Sequence, residues 1–149
     1  GSKAILMGVG EEKRQLSGEF RSELPAFVEK AEPYCRGCLV VTGASYESDP
    51  DLADKIAKSG SFDDWQMVVI HDDVEFARTT DKFLWATWTR FNPATDIRAR
   101  GVELKNNHIG YTAPIVIDAR MKPWYPGVVE PRADIVELVD RRWTEYFGT

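Results

Sequence analysis

The sequence predicts an α/β domain with three layers and a mixed central sheet. Four short apolar runs carry most of this reading: Ala4-Ile5-Leu6-Met7-Gly8-Val9, Cys38-Leu39-Val40-Val41-Thr42, Gln66-Met67-Val68-Val69-Ile70 and Pro114-Ile115-Val116-Ile117. None shows the clean polar alternation of a half-exposed strand, so helices are expected on both faces of their sheet. The segments between them carry helix signals. The chain has 149 residues and is 43% hydrophobic, with five Trp. That is long enough to bury roughly two-thirds of the unfolded surface in one core, and no internal repeat or low-complexity tract divides it.

In chain order, the first run is closed by Gly10 and reads as a buried strand. Phe20, Leu24, Val28 and Ala31 then recur every three or four residues behind Ser17, which predicts a helix that Pro25 can split. Gly37 leads into the Cys38 strand, and Gly43 stops it. Asp49 as cap, Pro50 at the first position, Asp51 in the first turn, Leu52 and Ile56 four apart, and Gly60 beyond the end predict the next helix. The third strand ends at His71-Asp72-Asp73. A helix over 79–90 follows, with Phe83 or Leu84 and Trp88 expected on its buried side, and Asn92-Pro93 terminating it.

Beyond Asp96, Ile97-Arg98-Ala99-Arg100 and Val102-Glu103-Leu104 alternate around Gly101, the pattern of an edge or half-exposed strand, which favours a mixed sheet over a parallel one. Asn106-Asn107 is a turn signal, and the strand from Pro114 ends at Asp118. The stretch 122–131, with three prolines and Gly127, is a loop of restricted shape. The last helix is expected over 133–147, with Ile135, Leu138 or Val139, Trp143 and Tyr146 on one apolar stripe.

Nineteen basic and twenty-four acidic residues give a net charge of −5 with no long basic block, which argues against a nucleic-acid partner held through phosphates. No apolar run approaches the ~20 residues of a membrane span. Gly1-Ser2 reads as a tag remnant, residues 3–149 as a single domain, and the expected location is cytoplasmic. Cys35 and Cys38 have the C-x-x-C spacing of dithiol and zinc sites, but no second ligand pair accompanies them, so ordinary thiols are the plainer reading. Gly8-Val9-Gly10 lacks the third glycine of a dinucleotide loop, and no nucleophile elbow surrounds Ser45 or Ser48.

The densest polar constellation is His71, Asp72, Asp73 and Glu75. It follows a strand, where ligands of open α/β sheets commonly bind. These acids suit helix capping and ion pairing, contact with a substrate or partner, or metal ligation. Arg90 and Asp96 flank Asn92-Pro93 and can pair across a rigid turn, or Arg90 can face a carboxylate ligand. Arg98 and Arg100 suit a solvated edge or an anion. Asp118 and Lys122 meet the His71 group if their strands are neighbours. Trp124 and Tyr125 suit either an aromatic substrate and a docking surface or the core.

His71-Asp72-Asp73-Val74, the stretch Trp85-Ala86-Thr87-Trp88-Thr89-Arg90-Phe91-Asn92-Pro93-Ala94-Thr95-Asp96, and Ile117-Asp118-Ala119-Arg120-Met121-Lys122 together resemble the C-terminal domain of the UbiD family of reversible decarboxylases. The resemblance extends over 66–122, more loosely beyond. It implies an enzyme that uses prenylated flavin mononucleotide with a divalent metal, and often potassium, to decarboxylate aromatic or unsaturated acids or to carboxylate phenolic ones. The family's cofactor-activating arginine and glutamates belong to a larger flavin-binding domain, so the resemblance implies no catalytic, cofactor or metal residue in this chain and no activity without that domain or subunit.

By the same resemblance, His71, Asp72, Asp73, Glu75, Arg90, Asp96, Asp118, Lys122 and Trp124 are expected at a substrate cleft or domain contact. The expected partners are a flavin-binding domain or subunit and an aromatic or phenolic acid, in a homo- or hetero-oligomer. The chain is then either a domain of a longer enzyme or a small subunit, and the alternative role is a noncatalytic assembly domain.

Overall fold

The computed structural model of the chain describes residues 10–12, 15–127 and 131–148. The strand expected at Ala4-Ile5-Leu6-Met7-Gly8-Val9 lies outside them. Five strands form one mixed sheet in the order β1-β2-β3-β5-β4: β1 (Val28–Cys35), β2 (Cys38–Gly43), β3 (Met67–Ile70), β4 (Ile97–Lys105) and β5 (His108–Asp118). β2, β3 and β5 run parallel, and β1 and β4 are antiparallel edges.

Alternation along the central strands divides the core. Leu39, Val41, Val68, Ile70 and Val116 face helix α1 (Leu52–Lys58), with Leu52, Ile56, Phe62 and Trp65 completing that layer. Val40, Val69 and Ile117 face the opposite way, toward Ala77 of a 3-10 turn (Val74–Ala77) and Phe83 of helix α2 (Thr80–Arg90). Side chains of period two explain why these runs are apolar throughout: each face of the sheet has its own covering layer.

The helix expected over the Phe20 to Ala31 periodicity does not form. Pro25 and Gly18 weaken it locally, and β1 instead pairs with β2, satisfying a strand edge whose backbone groups otherwise face no partner. Phe20 still reaches the core, stacking on Phe62 at 5.7 Å between ring centroids. The turn into β2 requires Gly37 at φ +80°, where its amide donates to Ser17 O at 2.8 Å. At the other end of β2, a Cβ on Gly43 would stand 2.7 Å from Phe27 O and 3.0 Å from Leu52 Cδ2. The carbonyl belongs to the backbone and cannot rotate away. Gly43→Ala is expected to cost about 1–3 kcal/mol in urea unfolding, whereas alanine at Gly60, which meets nothing within 4 Å, should leave the midpoint near wild type.

Helix α1 forms where its apolar spacing predicts, but its cap differs. Asp51 occupies the N-cap without a side-chain hydrogen bond, while the Asp49 carboxylate accepts from Lys55 Nζ at 2.7 Å. On α2, Phe83, Ala86 and Thr87 are buried, whereas Leu84 and Trp88 are each 45% exposed. The buried stripe is therefore turned by one position from the expected Trp88 face, because Thr87 bonds a buried histidine.

β4 is the edge strand its alternation predicts, joined to β5 through Asn106 and Asn107 at φ 51° and 61°, the left-handed pair of a tight hairpin turn. The ladder shifts register between Ala99 and Gly101, where Pro114 on β5 offers no amide proton. Arg98 pairs with Asp54 at 2.9 Å and Arg100 with Asp63, so this edge is tied to the α1 side. The last helical segment is broken at Arg142 into α3 (Ala133–Arg141) and α4 (Trp143–Phe147), and neither buries a residue. Ile135, Leu138, Trp143 and Tyr146, the expected stripe, are all exposed.

Candidate functional site at the strand ends

The parallel pairing brings Val41 beside Ile70 and Ile70 beside Asp118, so the loops after β2, β3 and β5 emerge together. His71 and Asp118 therefore do meet at one end of the sheet. Strand parity sends them to opposite faces, His71 with Val69 toward α2 and Asp118 with Val116 toward α1.

On the α1 side, Asp118 holds Arg120 in a bidentate pair, with Arg120 Nε to Asp118 Oδ1 at 2.9 Å and Nη2 to Oδ2 at 2.6 Å. Arg120 Nη1 also donates to Ala44 O at 2.7 Å and Asp49 O at 3.0 Å, stitching the β2–α1 loop to the end of β5. Lys122 is equally buried: its Nζ lies 3.0 Å from Asp96 Oδ2 and donates to Asp118 O at 2.8 Å and Arg90 O at 3.0 Å. The bond to Arg90 O satisfies a carbonyl at the C-terminus of α2, where a cation is favoured. The Tyr46 ring stands 5.3 Å from Arg120 Cζ and 5.5 Å from Lys122 Nζ, and Tyr125 lies 5.4 Å from the same ammonium. Two cations and two carboxylates thus form a neutral buried cluster, the arrangement that makes burying charge tolerable.

Arg90 does not pair with Asp96, as the turn spacing suggests. Asp96 turns inward to Lys122, while its Oδ2 accepts from Asn92 N at 2.8 Å and closes the Asn92-Pro93 turn. Arg90 Nη1 reaches Asp72 Oδ2 at 3.0 Å, which also accepts from Met121 N at 3.0 Å. Asp72 therefore joins β3, α2 and the loop after β5. Asp73 caps the 3-10 turn through Glu75 N at 3.0 Å, and Glu75 pairs with Arg78 at 2.8 Å, both on the exposed surface.

His71 is fully buried, its Nε2 3.0 Å from Thr87 Oγ1 and its Nδ1 without a hydrogen-bond partner among the described residues. Phe76 packs at 5.0 Å. Burial, then the nearby Arg90 cation, push the imidazole down to about 4 against the opposing pull of Asp118. Neutral histidine serves here as a packed hydrogen-bonding group.

Trp124, 64% exposed, sits edge-on to Tyr46 at 5.4 Å. Beside it, Trp85, Thr89, Arg90, Met121, Tyr125 and Pro126 line an open cleft of about 250 Å3. A larger cleft of about 530 Å3, lined among others by Arg21, Cys35, Arg36 and Trp65, lies at the β1–β2 turn end of the sheet, and no residue expected at the site lines it. In that turn Cys35 faces Cys38 across the hairpin. Cys35 is exposed, whereas burial and the neighbouring thiol push the Cys38 thiol up to about 12. A buried thiol held protonated is a poor nucleophile, consistent with ordinary cysteines.

Among the described residues no group of three or more His, Cys, Asp or Glu is arranged to hold a metal ion, and no helix is long and apolar enough to cross a membrane. The residues that sequence reading missed as partners are Arg120, Thr87 and Tyr46. Arg120 alone carried a signal, since Asp118, Arg120 and Lys122 alternate directly after an apolar strand.

No family model matches the chain. Over 148 residues it is 34% identical to an uncharacterised protein of Chlamydia trachomatis serovar D, covering 99% of this chain and 25% of that protein. A Chlamydia pneumoniae protein named as a subunit of 4-hydroxybenzoate decarboxylase is 34% identical over 152 residues, with the same coverage of 99% and 25%. Among solved structures, the vanillic acid decarboxylase of Sedimentibacter hydroxybenzoicus in open form aligns at a TM-score of 0.47 and 12% identity, over 83% of this chain and 30% of that one. The chain spans about a quarter of the length of the curated relatives it matches.

Proposed function

We propose that the chain is the C-terminal domain or small subunit of a UbiD-like reversible aromatic acid carboxylase/decarboxylase, in which it shapes the substrate cleft and mediates assembly. The observation that carries this reading is the 34% identity, over 99% of the chain, to a protein named as a 4-hydroxybenzoate decarboxylase subunit. The geometry supports a shaping role. Asp72, Arg90, Asp96, Asp118 and Lys122 are committed to one another or to backbone groups, so they fix three loops in place.

The strand-end carboxylates do not fit a metal ion: Asp72, Asp118 and Asp96 are engaged by Arg90, Arg120 and Lys122, Glu75 pairs with Arg78, and Asp73 caps the 3-10 turn. Flavin, divalent metal and potassium, which the family resemblance implies, belong in this proposal to a partner domain or subunit, and no chemical step is assigned to this chain's own residues. The second reading, an assembly domain that only docks, is favoured by the apolar groups left outside the core. Trp85 is 75% exposed, and the cross-strand pairs Val102 with Tyr111 and Leu104 with Ile109 leave four apolar side chains exposed along the hairpin.

The test is carbon dioxide release from 4-hydroxybenzoate by a flavin-loaded UbiD-like partner with and without this chain. Turnover is expected only with both, and turnover by this chain alone, or none gained on mixing, overturns the proposal. Arg90→Gln separates the two readings. A cleft role predicts lost turnover with association intact, whereas a docking role predicts turnover that falls in proportion to association.

A further inference from the structure

The decarboxylase reading makes no use of the hairpin turn Cys35-Arg36-Gly37-Cys38. β1 and β2 run antiparallel, and after the register shift at Pro33 the two cysteines close their ladder as Cα partners. Residues so paired have Cα atoms roughly 4.5–5.5 Å apart and side chains on one face of the ribbon. A disulfide spans Cα separations of roughly 4.4–6.8 Å, so the backbone already stands where the bond needs it. The turn is pinned from both sides. Gly37, at φ +80°, donates to Ser17 O at 2.8 Å, and its carbonyl accepts from Gln66 N at 3.1 Å and Met67 N at 2.9 Å. Two thiols that are ordinary singly are held here as a pair.

The two sulfurs differ in access. Cys35 is exposed and lines the cleft of about 530 Å3, whereas Cys38 is buried. An oxidant from solvent therefore meets Cys35, and Cys38 is reached only through its neighbour. The cleft volume lies within the roughly 300–1,000 Å3 of small-molecule sites. Arg36 lines it beside the thiol and forms no hydrogen bond or ion pair among the described residues; Glu19, whose carboxyl it helps to hold low, is paired with Arg21. A guanidinium so placed suits a carboxylate. A small disulfide that carries carboxylates, such as glutathione disulfide, matches both groups.

We propose that Cys35 and Cys38 form a reversible dithiol–disulfide site that exchanges with a low-molecular-weight, carboxylate-bearing disulfide entering this cleft. The Cys35 thiolate attacks one sulfur of that disulfide, forms a mixed disulfide and expels one small thiolate. Cys38 then gives up its proton, attacks Cys35 Sγ, closes the Cys35–Cys38 bond and expels the second small thiolate. Two protein thiols are oxidised, one small disulfide is reduced, and the two protons leaving the cysteines end on the two small thiols. Cys38 suits only the second step. Burial, then the charge and the hydrogen bond of Cys35, hold its proton in place. The last two fall away once Cys35 is capped, and a well-oriented neighbour attacks with an effective concentration on the order of 10⁵ M. The assignment is independent of the decarboxylase reading, since it needs neither flavin nor partner.

The test incubates the reduced 149-residue chain with excess glutathione disulfide, quenches with N-ethylmaleimide, and follows intact mass and tryptic peptides. Trypsin cuts after Arg36, so a closed bond holds together two peptides that part on reduction. The expected product is a chain two hydrogens lighter, unreactive toward the maleimide and returned to the dithiol by excess glutathione. Cys38→Ala should stop with one glutathione on Cys35. Cys35→Ser, a change at an exposed position, should react at least about a hundredfold more slowly because its remaining thiol is buried. Arg36→Gln should slow the reaction with glutathione disulfide several-fold but not that with uncharged 2-hydroxyethyl disulfide. No reaction, a wild-type mixed disulfide that never closes, bonds formed only between chains, or oxidation of Cys35→Ser at the wild-type rate overturns the site. Equal slowing of both disulfides by Arg36→Gln overturns the carboxylate-bearing ligand.

Discussion

Asp118→Ala is expected to lower the unfolding free energy by about 3–5 kcal/mol, the cost of leaving a buried charge without its partner. The side chains of Arg120 and Asp118 are 1% and 4% exposed, so water cannot replace the lost carboxylate. Arg120 would keep its bonds to Ala44 O and Asp49 O, but those carbonyls carry no net charge. The natural contrast is Arg98 with Asp54, a pair of similar length whose side chains are each 41% exposed. Asp54→Ala should cost only about 0–1 kcal/mol. Asp118→Asn, which keeps the hydrogen-bonding shape and removes the charge, guards against a variant too unstable to measure. Replacing the pair together, Asp118→Leu with Arg120→Met, should restore part of the loss, because no unpaired charge remains. Urea unfolding of the set checks this, and equal losses for Asp54→Ala and Asp118→Ala would show that burial does not set the worth of these pairs.

How far this architecture could be read beforehand depends on the range of the interaction concerned. β2 and β3 were legible because a strand covered on both faces needs apolar residues at every position, and that demand is written locally in Leu39-Val40-Val41 and Val68-Val69-Ile70. The turn at Asn106-Asn107 and the stop at Asn92-Pro93 are likewise local chemistry. β1 was not legible. Its apolar spacing fits a helix, and only the free edge of β2, supplied by residues up to Gly43, decides for a strand.

The site divides in the same way. That His71, Asp72 and Asp118 gather at one end of the sheet follows from strand ends. Which carboxylate takes which cation does not: Lys122 takes Asp96, the partner that sequence proximity offers Arg90, and Arg90 turns to Asp72, because Lys122 comes from a loop that only the β3–β5 pairing brings beneath α2. Tyr46, which faces both buried cations, carries no sequence signal at all.

Stability should fall as pH is lowered from above 6.5 toward 4, by on the order of 3 kcal/mol from His71 alone. Burial, with Arg90 adding to it, moves this imidazole from 6.5 in the unfolded chain down to about 4 in the fold. Between those values the unfolded chain binds a proton that the folded chain refuses, so acid draws the equilibrium toward unfolding. The contribution is fully present above 6.5, declines by about 1.4 kcal/mol per pH unit below it, and levels off below 4. Carboxylates also lose their pairs in acid, so the comparison must isolate the histidine. His71→Asn retains a polar group for Thr87, whose hydroxyl lies 3.0 Å from Nε2, and cannot take up the proton. It should be less stable than wild type near neutrality through lost packing against Phe76 and Phe83, yet its stability should change more gently with pH. The difference in slope between the two proteins from pH 6.5 to 4 should correspond to about one proton. Parallel slopes would mean that His71 takes up its proton equally in the folded and unfolded chain, and that the buried ring opposite Thr87 is not held neutral.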